Sequence, residues 1–464
     1  MIFSPALRPF LERRPDALDV LEIEPQTLWL ADDAFTGPFY EFGPGIDLFQ
    51  ALPGHKLVHS VSLPLGGTRV PDPAQCALIR ATADRLASPW VSEHLSVGGT
   101  PHQASGFFLP PLQTEASAEV AAANIRAFAG LVGRPVAVET GVAYLARKPF
   151  EMTDGVWLAE VAARADCGIL LDLHNLYCNA RNGRLDLDDF LRALPRERVW
   201  EVHLAGGMEM DGFWLDSHSG PIPPDLKAMA REVLTDLPNL GALNFEIYDS
   251  FLERTEERVL DDTVEDLRSL WAVAGRSTSD ARPRDLAPAL LAGAPSPALW
   301  EAALTEAIWK ADPEAHPHPE DKAALALYAR LARSFRGSML ARTLPRAIRY
   351  LILRERAAVE ALLDTFYSAV SARLYAPLEA EAFAAWAATD PDRLLQGLLD
   401  YDLALLRTLR NGKPQIVRFP GNPGPVFEAL ADRRLPICPP PPEWELEILP
   451  DGPALASGAP SVAA

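Results

Sequence analysis

Residues 168–175 read GILLDLHN and residues 199–206 read VWEVHLAG, and these two stretches decide the fold. Each is a short apolar run that closes on charged or polar residues. Runs that are apolar on both faces are typical of strands buried in a parallel sheet. Polar residues at the ends of such strands indicate the mouth of a barrel, where barrel enzymes place their sites. The pattern predicts an α/β fold with functional groups at the strand ends.

Similar apolar runs flank these two stretches throughout residues 1–275. They are DVLEIEP (19–25), KLVHSVSL (56–63), WVSEHLS (90–96), PVAVET (135–140) and LNFEIYD (243–249). Helix-like segments lie between the runs, at 115–131, 187–194, 225–237 and 253–274. Because alternating strands and helices are typical of βαβ units, we predict a TIM-type (β/α)8 barrel. Only seven strands are recognisable, so an open doubly wound sheet is the alternative. The absence of a Gly-rich phosphate loop after an early strand disfavours that alternative.

The composition of the chain changes after the barrel. Residues 276–290 are polar and contain proline, which predicts a linker. Residues 291–435 are rich in Ala, Leu and Arg, with apolar residues at helical spacing, and predict a mainly α-helical second domain. Residues 436–464 include the run Pro439–Pro442 and predict a Pro-rich, disordered tail.

Charge and hydropathy limit the classes of partner. The 464 residues include 43 Lys and Arg against 63 Asp and Glu, a formal charge of −20. Such an acidic surface repels phosphates, which argues against a nucleic-acid partner. No apolar run approaches the roughly 20 residues that span a bilayer, and the first residues lack the pattern of a secretory signal. We therefore expect a cytoplasmic protein without a membrane partner. The four cysteines form no CxxC motif, so neither a zinc ribbon nor a disulfide framework is indicated.

Histidine and acidic residues recur at the predicted strand ends. They are His59, Glu93–His94, Glu139, Asp172–His174–Asn175, Glu201–His203, Asp216–His218 and Glu246. Burying an ionised carboxylate costs several kcal/mol, and a cation is the natural compensation. Taken singly, His59 would be a hydrogen-bonded core residue and 216–218 an ordinary loop turn, but recurrence in the six strand segments other than 216–218 favours a metal centre.

Spacing and chemistry refine this prediction. Residues i and i+2 of a strand share a face, which pairs Glu201 with His203 and Asp172 with His174. Asp216 and His218 share a face if their segment is extended. Imidazole and carboxylate without thiolate favour Fe, Mn or Zn. The candidates outnumber the roughly three protein ligands of a catalytic zinc, which predicts two or three metals.

Seven motifs resemble those of a known family. They are HSVSLPLGG, VSEHLS, VAVETGVAYL, LLDLHNLYCNARN, VHLAGG, LDSHSG and NFEIYD. In this order they resemble the multinuclear non-heme iron-dependent oxidative enzymes of the methanobactin-biosynthesis oxidase type, over about residues 10–275. The resemblance implies a TIM barrel with two or three irons and dioxygen as co-substrate. It also implies oxidation of residues, typically cysteines, in a ribosomally made precursor peptide that a helper protein recognises.

The resemblance also implies a set of site residues. The implied metal ligands are His59, His94, Glu139, Asp172, Asn175, His203, Asp216, His218 and Glu246. Among them we assign a catalytic role to Glu139, Asp172 and His203. The chain departs from the family at Gly207, where His is frequent, and at His174, where Asn is frequent. It also has Gln26 and Thr27 in place of a Glu–Asn pair. Whether His174 adds or replaces a ligand stays open.

The second half resembles the helper proteins of that family in the phrases ALYARLARSFRGSML, DPDRLLQGLLDYDLALLRT and QIVRFPGNPGPVFEAL. This implies recognition of the precursor peptide. A helical partner or dimerisation domain is the alternative, and a homodimer is left open.

For the barrel, the alternatives are a divalent-metal sugar isomerase or hydrolase, and a non-catalytic scaffold. The charge argues against an endonuclease, the single strand lysine (Lys56) against an isomerase, and the intact ligand set against a scaffold.

Overall fold

The computed structural model describes residues 1–33, 36–275, 293–312, 318 and 321–450, with the backbone of 452–455. The predicted linker 276–290 lies outside the described residues. The chain divides into two compact units. The first comprises Met1–Leu28 and Gly43–Tyr328, and the second comprises Trp29–Phe42 and Ala329–Ala464.

A seven-stranded parallel sheet forms the centre of the first unit. Its strands, here β1 to β7, are Val20–Ile23, His55–Ser60, Val91–His94, Val136–Glu139, Gly168–Asp172, Val199–Ala205 and Ala242–Glu246. Each strand pairs with the next one along the sheet in parallel register. Every predicted apolar run overlaps one of these strands, and the predicted TIM-type barrel is confirmed.

Residues 1–3 take the eighth position of the barrel, which the sequence did not reveal. Ile2 forms a parallel bridge with Glu22 of β1. The amide of Phe3 donates to the Glu22 carbonyl at 2.7 Å, and the amide of Ile2 donates to the Phe245 carbonyl of β7 at 3.2 Å. This segment therefore links β1 to β7 and occupies the gap that seven strands would leave open.

Helices follow the strands, as right-handed crossovers require. The α-helices of the first unit are Arg8–Arg13, Gly43–Ala51, Pro73–Leu86, Glu115–Val132, Asp154–Ala165, Leu173–Arg181, Leu187–Ala193, Pro224–Thr235, Asp249–Leu252, Glu257–Trp271 and Pro297–Lys310. Two antiparallel hairpins, Val97–Thr100 with Gln103–Leu109 and Met208–Met210 with Phe213–Leu215, follow β3 and β6. Strand ends and the segments after them therefore build one rim of the barrel.

The second unit is mainly α-helical, as predicted. Its helices are the second part of Lys322–Thr343, followed by Pro345–Arg354, Arg356–Ala369, Ala376–Ala387, Arg393–Asn411 and Gly424–Ala431. They pack around a core that includes Leu340, Leu351, Phe366 and Phe383. A hairpin (Trp29–Ala31 and Phe39–Glu41) and a three-stranded antiparallel sheet (Gln415–Phe419, Trp444–Leu449 and Gly452–Leu455) complete the unit. The last two of these strands lie within the stretch predicted as a tail. Of that stretch, 456–464 lie outside the described residues.

No helix within the described ranges is long and apolar enough to cross a membrane.

Candidate metal centre

Seven of the nine proposed ligands lie together at the carboxyl ends of the barrel strands. They form three overlapping groups whose ligand atoms lie within 4.8 Å of one another: His59–His94–Glu139, Glu139–Asp172–His203 and Asp172–His218–Glu246. Glu139 belongs to the first two groups and Asp172 to the last two. A row of three groups that share carboxylates suits adjacent cations, because carboxylate oxygens bind hard cations and clustered metal sites hold neighbouring ions close together.

Glu139 contacts both histidines of the first group. Its Oε2 lies 3.3 Å from Nε2 of His59 and 3.1 Å from Nδ1 of His94. The other ring nitrogen of His59 is within 2.9 Å of the Ser92 hydroxyl, which fixes the ring. Oε1 of Glu139 accepts a hydrogen bond from Nδ2 of Asn175 at 3.0 Å. His59 and Glu139 therefore each have one atom held by the protein and one atom directed to the group.

The local sequence around Asp172 orients its carboxylate, a proposed metal ligand. It ends β5 and is the N-cap of helix Leu173–Arg181, and its Oδ1 accepts from the amides of His174 (2.6 Å) and Asn175 (2.9 Å). Capping satisfies one carboxylate oxygen and leaves Oδ2 directed to the site. The strand-based pairing of Asp172 with His174 is wrong, because the chain turns into a helix at Leu173 and His174 leaves the strand.

His218 is aimed by a turn and not by an extended segment. Its φ of +44° lies in the left-handed region, so the condition under which Asp216 and His218 would share a strand face is not met. Nε2 of His218 nevertheless lies 2.9 Å from Oδ1 of Asp216 and 3.1 Å from Oε2 of Glu246. Asp216 itself belongs to none of the three groups, and it contacts the third group through His218.

Buried polar atoms without hydrogen bonds test whether these residues fit a metal. Seven atoms of the proposed ligands are buried and find no hydrogen-bond partner among the described residues. They are Nδ1 of His94, Oε2 of Glu139, Oδ2 of Asp172, Oδ1 of Asn175, both ring nitrogens of His203 and Nε2 of His218. Buried polar groups are normally satisfied, and lone-pair atoms that converge without hydrogen-bond geometry suit a cation. The residues therefore fit a metal centre.

Electrostatics supports this fit. Burial, followed by the Glu139 and Asp216 carboxylates, raises the pKa of Asp172 well above its ordinary value. Burial by itself would lower the pKa of His94, but Glu139 and Glu93 outweigh it and raise the pKa to about 9. The carboxyl group of Asp172 thus resists ionisation while the imidazole of His94 attracts a proton, as expected where negative charges lie close together. Bound cations would supply the compensating positive charge.

Two carboxylates near the site, Glu22 and Glu24, were missed from the sequence. Oε2 of Glu22 lies 2.9 Å from Nε2 of His203, and Oε1 of Glu201 lies 3.5 Å from the same nitrogen, while Nδ1 of His203 faces Glu246 at 3.0 Å. Burial raises the pKa of Glu24 to about 7; Glu246 adds to the rise, and His218 and His94 oppose it. Both residues lie in the apolar run DVLEIEP (19–25), and a carboxylate inside such a run could have indicated them, as it indicated Glu201.

Comparison with known sequences places the chain in a family. The profile of the family described as RiPP precursor modification enzyme MbnB/TglH/ChrH matches residues 48–255, a span that holds all nine proposed ligands. A UPF0276 protein of Chromobacterium violaceum is 31% identical over 224 residues, which cover 48% of this chain and 80% of the relative. The chain belongs to this family.

Further comparisons describe what this family member is similar to. A UPF0276 protein of Caulobacter vibrioides is 31% identical over 226 residues, covering 48% of this chain and 78% of the relative. A crystal structure of D-psicose 3-epimerase from Clostridium cellulolyticum H10 with D-tagatose covers 59% of this chain and 95% of its own, at 13% identity and a TM-score of 0.39. The family match ends at residue 255, before the helices of the second unit, whose role is a separate question.

Proposed function

We propose that this family member is an iron-dependent oxidoreductase that uses dioxygen to modify a ribosomally made precursor peptide at cysteine residues in the cytoplasm. The observation that carries the proposal is the set of unsatisfied imidazole and carboxylate atoms in three overlapping groups. Membership in an enzyme family that modifies RiPP precursors supports the choice of substrate class.

Some residues of this site would bind the metal, and others would orient those ligands. The three groups would hold two or three irons, with Glu139 and Asp172 shared between neighbours. Bound iron would supply the electron transfer to dioxygen. Glu22 and Glu201, whose oxygens lie near Nε2 of His203, would orient that ring through their charge, and Asn175 would hold Glu139. Such partners fix the orientation of a ligand and its donor atom.

The more open side of the site suggests where a peptide would enter. His94 and His218 keep 16% and 13% of their side chains exposed, whereas His59 and His203 keep 2% and 0%. The Phe108 ring packs 4.5 Å from the ring of His94, and the half-exposed Tyr248 ring packs 4.7 Å from that of His218. A peptide cysteine would thus approach between two aromatic rings, and its thiolate would be a strong donor to a mixed His/carboxylate iron.

The position of Lys56 weakens the sugar-isomerase alternative. Its Nζ donates to the carbonyls of Leu52, Pro53 and Gly54, at the start of β2 and away from the strand ends. A lysine base is therefore not provided from this strand.

Metal analysis joined to an activity assay tests the proposal. Protein purified and reconstituted without oxygen should hold more than one iron per chain, because three ligand groups exceed the needs of one ion. With a cysteine-bearing precursor peptide and dioxygen, the peptide mass should change. Iron-loaded protein without such a change, but with turnover of a sugar, would favour an isomerase. A chain that binds at most one metal would contradict the multinuclear site.

The second unit is proposed to bind the precursor peptide, on the strength of its resemblance to helper proteins. A precursor carrying a photoreactive group in its leader should crosslink to residues 329–450, while a group beside the modified cysteine should crosslink to the barrel. A precursor with a scrambled leader is the matched control. Leader crosslinks confined to the barrel would assign the helical unit another role.

A further inference from the structure

Two side chains and a backbone carbonyl lie close against Gly207. A Cβ atom at Gly207 would lie 2.6 Å from Nε2 of His174, 2.5 Å from Nε1 of Trp214 and 2.7 Å from the Leu215 carbonyl oxygen. The absence of a side chain at this position therefore admits the His174 and Trp214 rings, directly after β6.

Both nitrogens of the buried His174 ring have partners. Nε2 accepts a hydrogen bond from the Trp214 indole at 3.4 Å, and Nδ1 lies 2.8 Å from Oδ1 of Asp216. An indole nitrogen is only a donor, so Nε2 carries the lone pair and Nδ1 carries the proton given to Asp216. No lone pair is left for a cation, and His174 also lies outside the three ligand groups.

The donor to His174 is itself held in place. The Trp214 amide donates to Oδ1 of Asn182 at 2.8 Å, and the Arg181 guanidinium lies 4.4 Å from the Trp214 ring centroid. From this anchor, hydrogen bonds lead through His174 to Asp216. Oδ1 of Asp216 in turn lies 2.9 Å from His218, a member of the third ligand group.

We propose that His174 is a positioning residue, which holds Asp216 and thereby sets the cation affinity of the group Asp172–His218–Glu246. The inference rests on the proposed metal function and deepens it. Outer partners of this kind typically change metal affinity roughly 10–100-fold. The effect should not reach the His59–His94–Glu139 group, because neither His174 nor Asp216 contacts that group through a described hydrogen bond or ion pair.

Two substitutions of His174 distinguish a positioning role from a packing role, because each preserves what the other removes. His174→Asn keeps an N–H donor near the place of Nδ1 but leaves space, whereas His174→Phe fills the space but removes the donor. Ferrous iron is titrated anaerobically into the full chain against a competing chelator dye. We expect His174→Phe to weaken the binding of iron at the Asp172–His218–Glu246 group by roughly 10–100-fold and to leave at least one other iron bound as tightly as in wild type. His174→Asn should lie closer to wild type.

Controls make each outcome decisive. Cys178→Ala alters packing 3.7 Å from Nε2 of His174 without touching Asp216, and should bind iron like wild type. If the Phe variant does not fold, His174→Leu replaces it. Wild-type affinity in the apolar variant, or weaker binding in His174→Asn than in His174→Phe, would overturn the positioning role alone. A wild-type chain that binds no iron would overturn the proposed function and this inference with it.

Discussion

Asp172→Asn should give a folded protein that has lost iron and peptide turnover. The amide oxygen of Asn can still cap helix Leu173–Arg181, but an NH2 group would replace the unsatisfied Oδ2 that faces the site. Because Asp172 belongs to two of the three groups, more than one ion should be affected. We expect turnover to fall by more than about 100-fold, beyond the loss that outer partners alone produce. Iron content and turnover on the same sample measure this.

Asp186→Asn is the matched control for that variant. Asp186 caps helix Leu187–Ala193 in the same way, with its side chain accepting from the Asp189 amide, and it contacts no proposed ligand through a described hydrogen bond. It should keep wild-type iron and turnover. Wild-type iron in Asp172→Asn would remove Asp172 from the ligand set.

His203→Ala should behave differently, since it also removes the partner of Glu22 and Glu201. Breaking a buried ionic contact costs about 3–5 kcal/mol, so this variant should unfold more readily as well as lose iron.

Removing the metals should lower the thermal stability of the wild-type barrel strongly. A ligand present at 1,000 times its Kd stabilises a fold by about 4 kcal/mol, and each kcal/mol shifts Tm by roughly 2–4 °C for a domain of this size. Chelation should therefore lower the barrel's transition by about 10 °C, and adding ferrous iron back should restore it. An unchanged Tm in fully stripped protein would contradict a buried multinuclear centre.

Removing the metal should also reverse the order of melting temperature between Asp172→Asn and wild type. Burial and neighbouring carboxylates raise the pKa of Asp172, so its charge destabilises the protein when no cation is present. Metal-free Asp172→Asn should then melt at a higher temperature than metal-free wild type, whereas with ferrous iron present wild type should melt at the higher temperature because it alone keeps the metal. Differential scanning calorimetry of all four samples measures this.

The barrel strands and most of the candidate metal-ligand cluster could be predicted from the sequence because both depend on local information. Apolar runs of strand length reveal β1 to β7, and ionisable residues inside such runs are costly enough to indicate a site. Parallel strands bring their carboxyl ends to one rim, so residues far apart in the chain, such as His59 and Glu139, could be expected to meet there.

Only the tertiary structure decided what depends on contacts between distant segments. Three residues at 1–3 carry no periodicity, and their place as the eighth strand follows from hydrogen bonds to Glu22 and Phe245. The role of His174 was open because its two partners lie 40 and 42 residues away in the chain, and each takes one ring nitrogen. Sequence determined which chemical groups the rim contains, since residue type and strand pattern are local. Folding determined which lone pairs are directed to the candidate metal site, because hydrogen bonds made elsewhere use up the others.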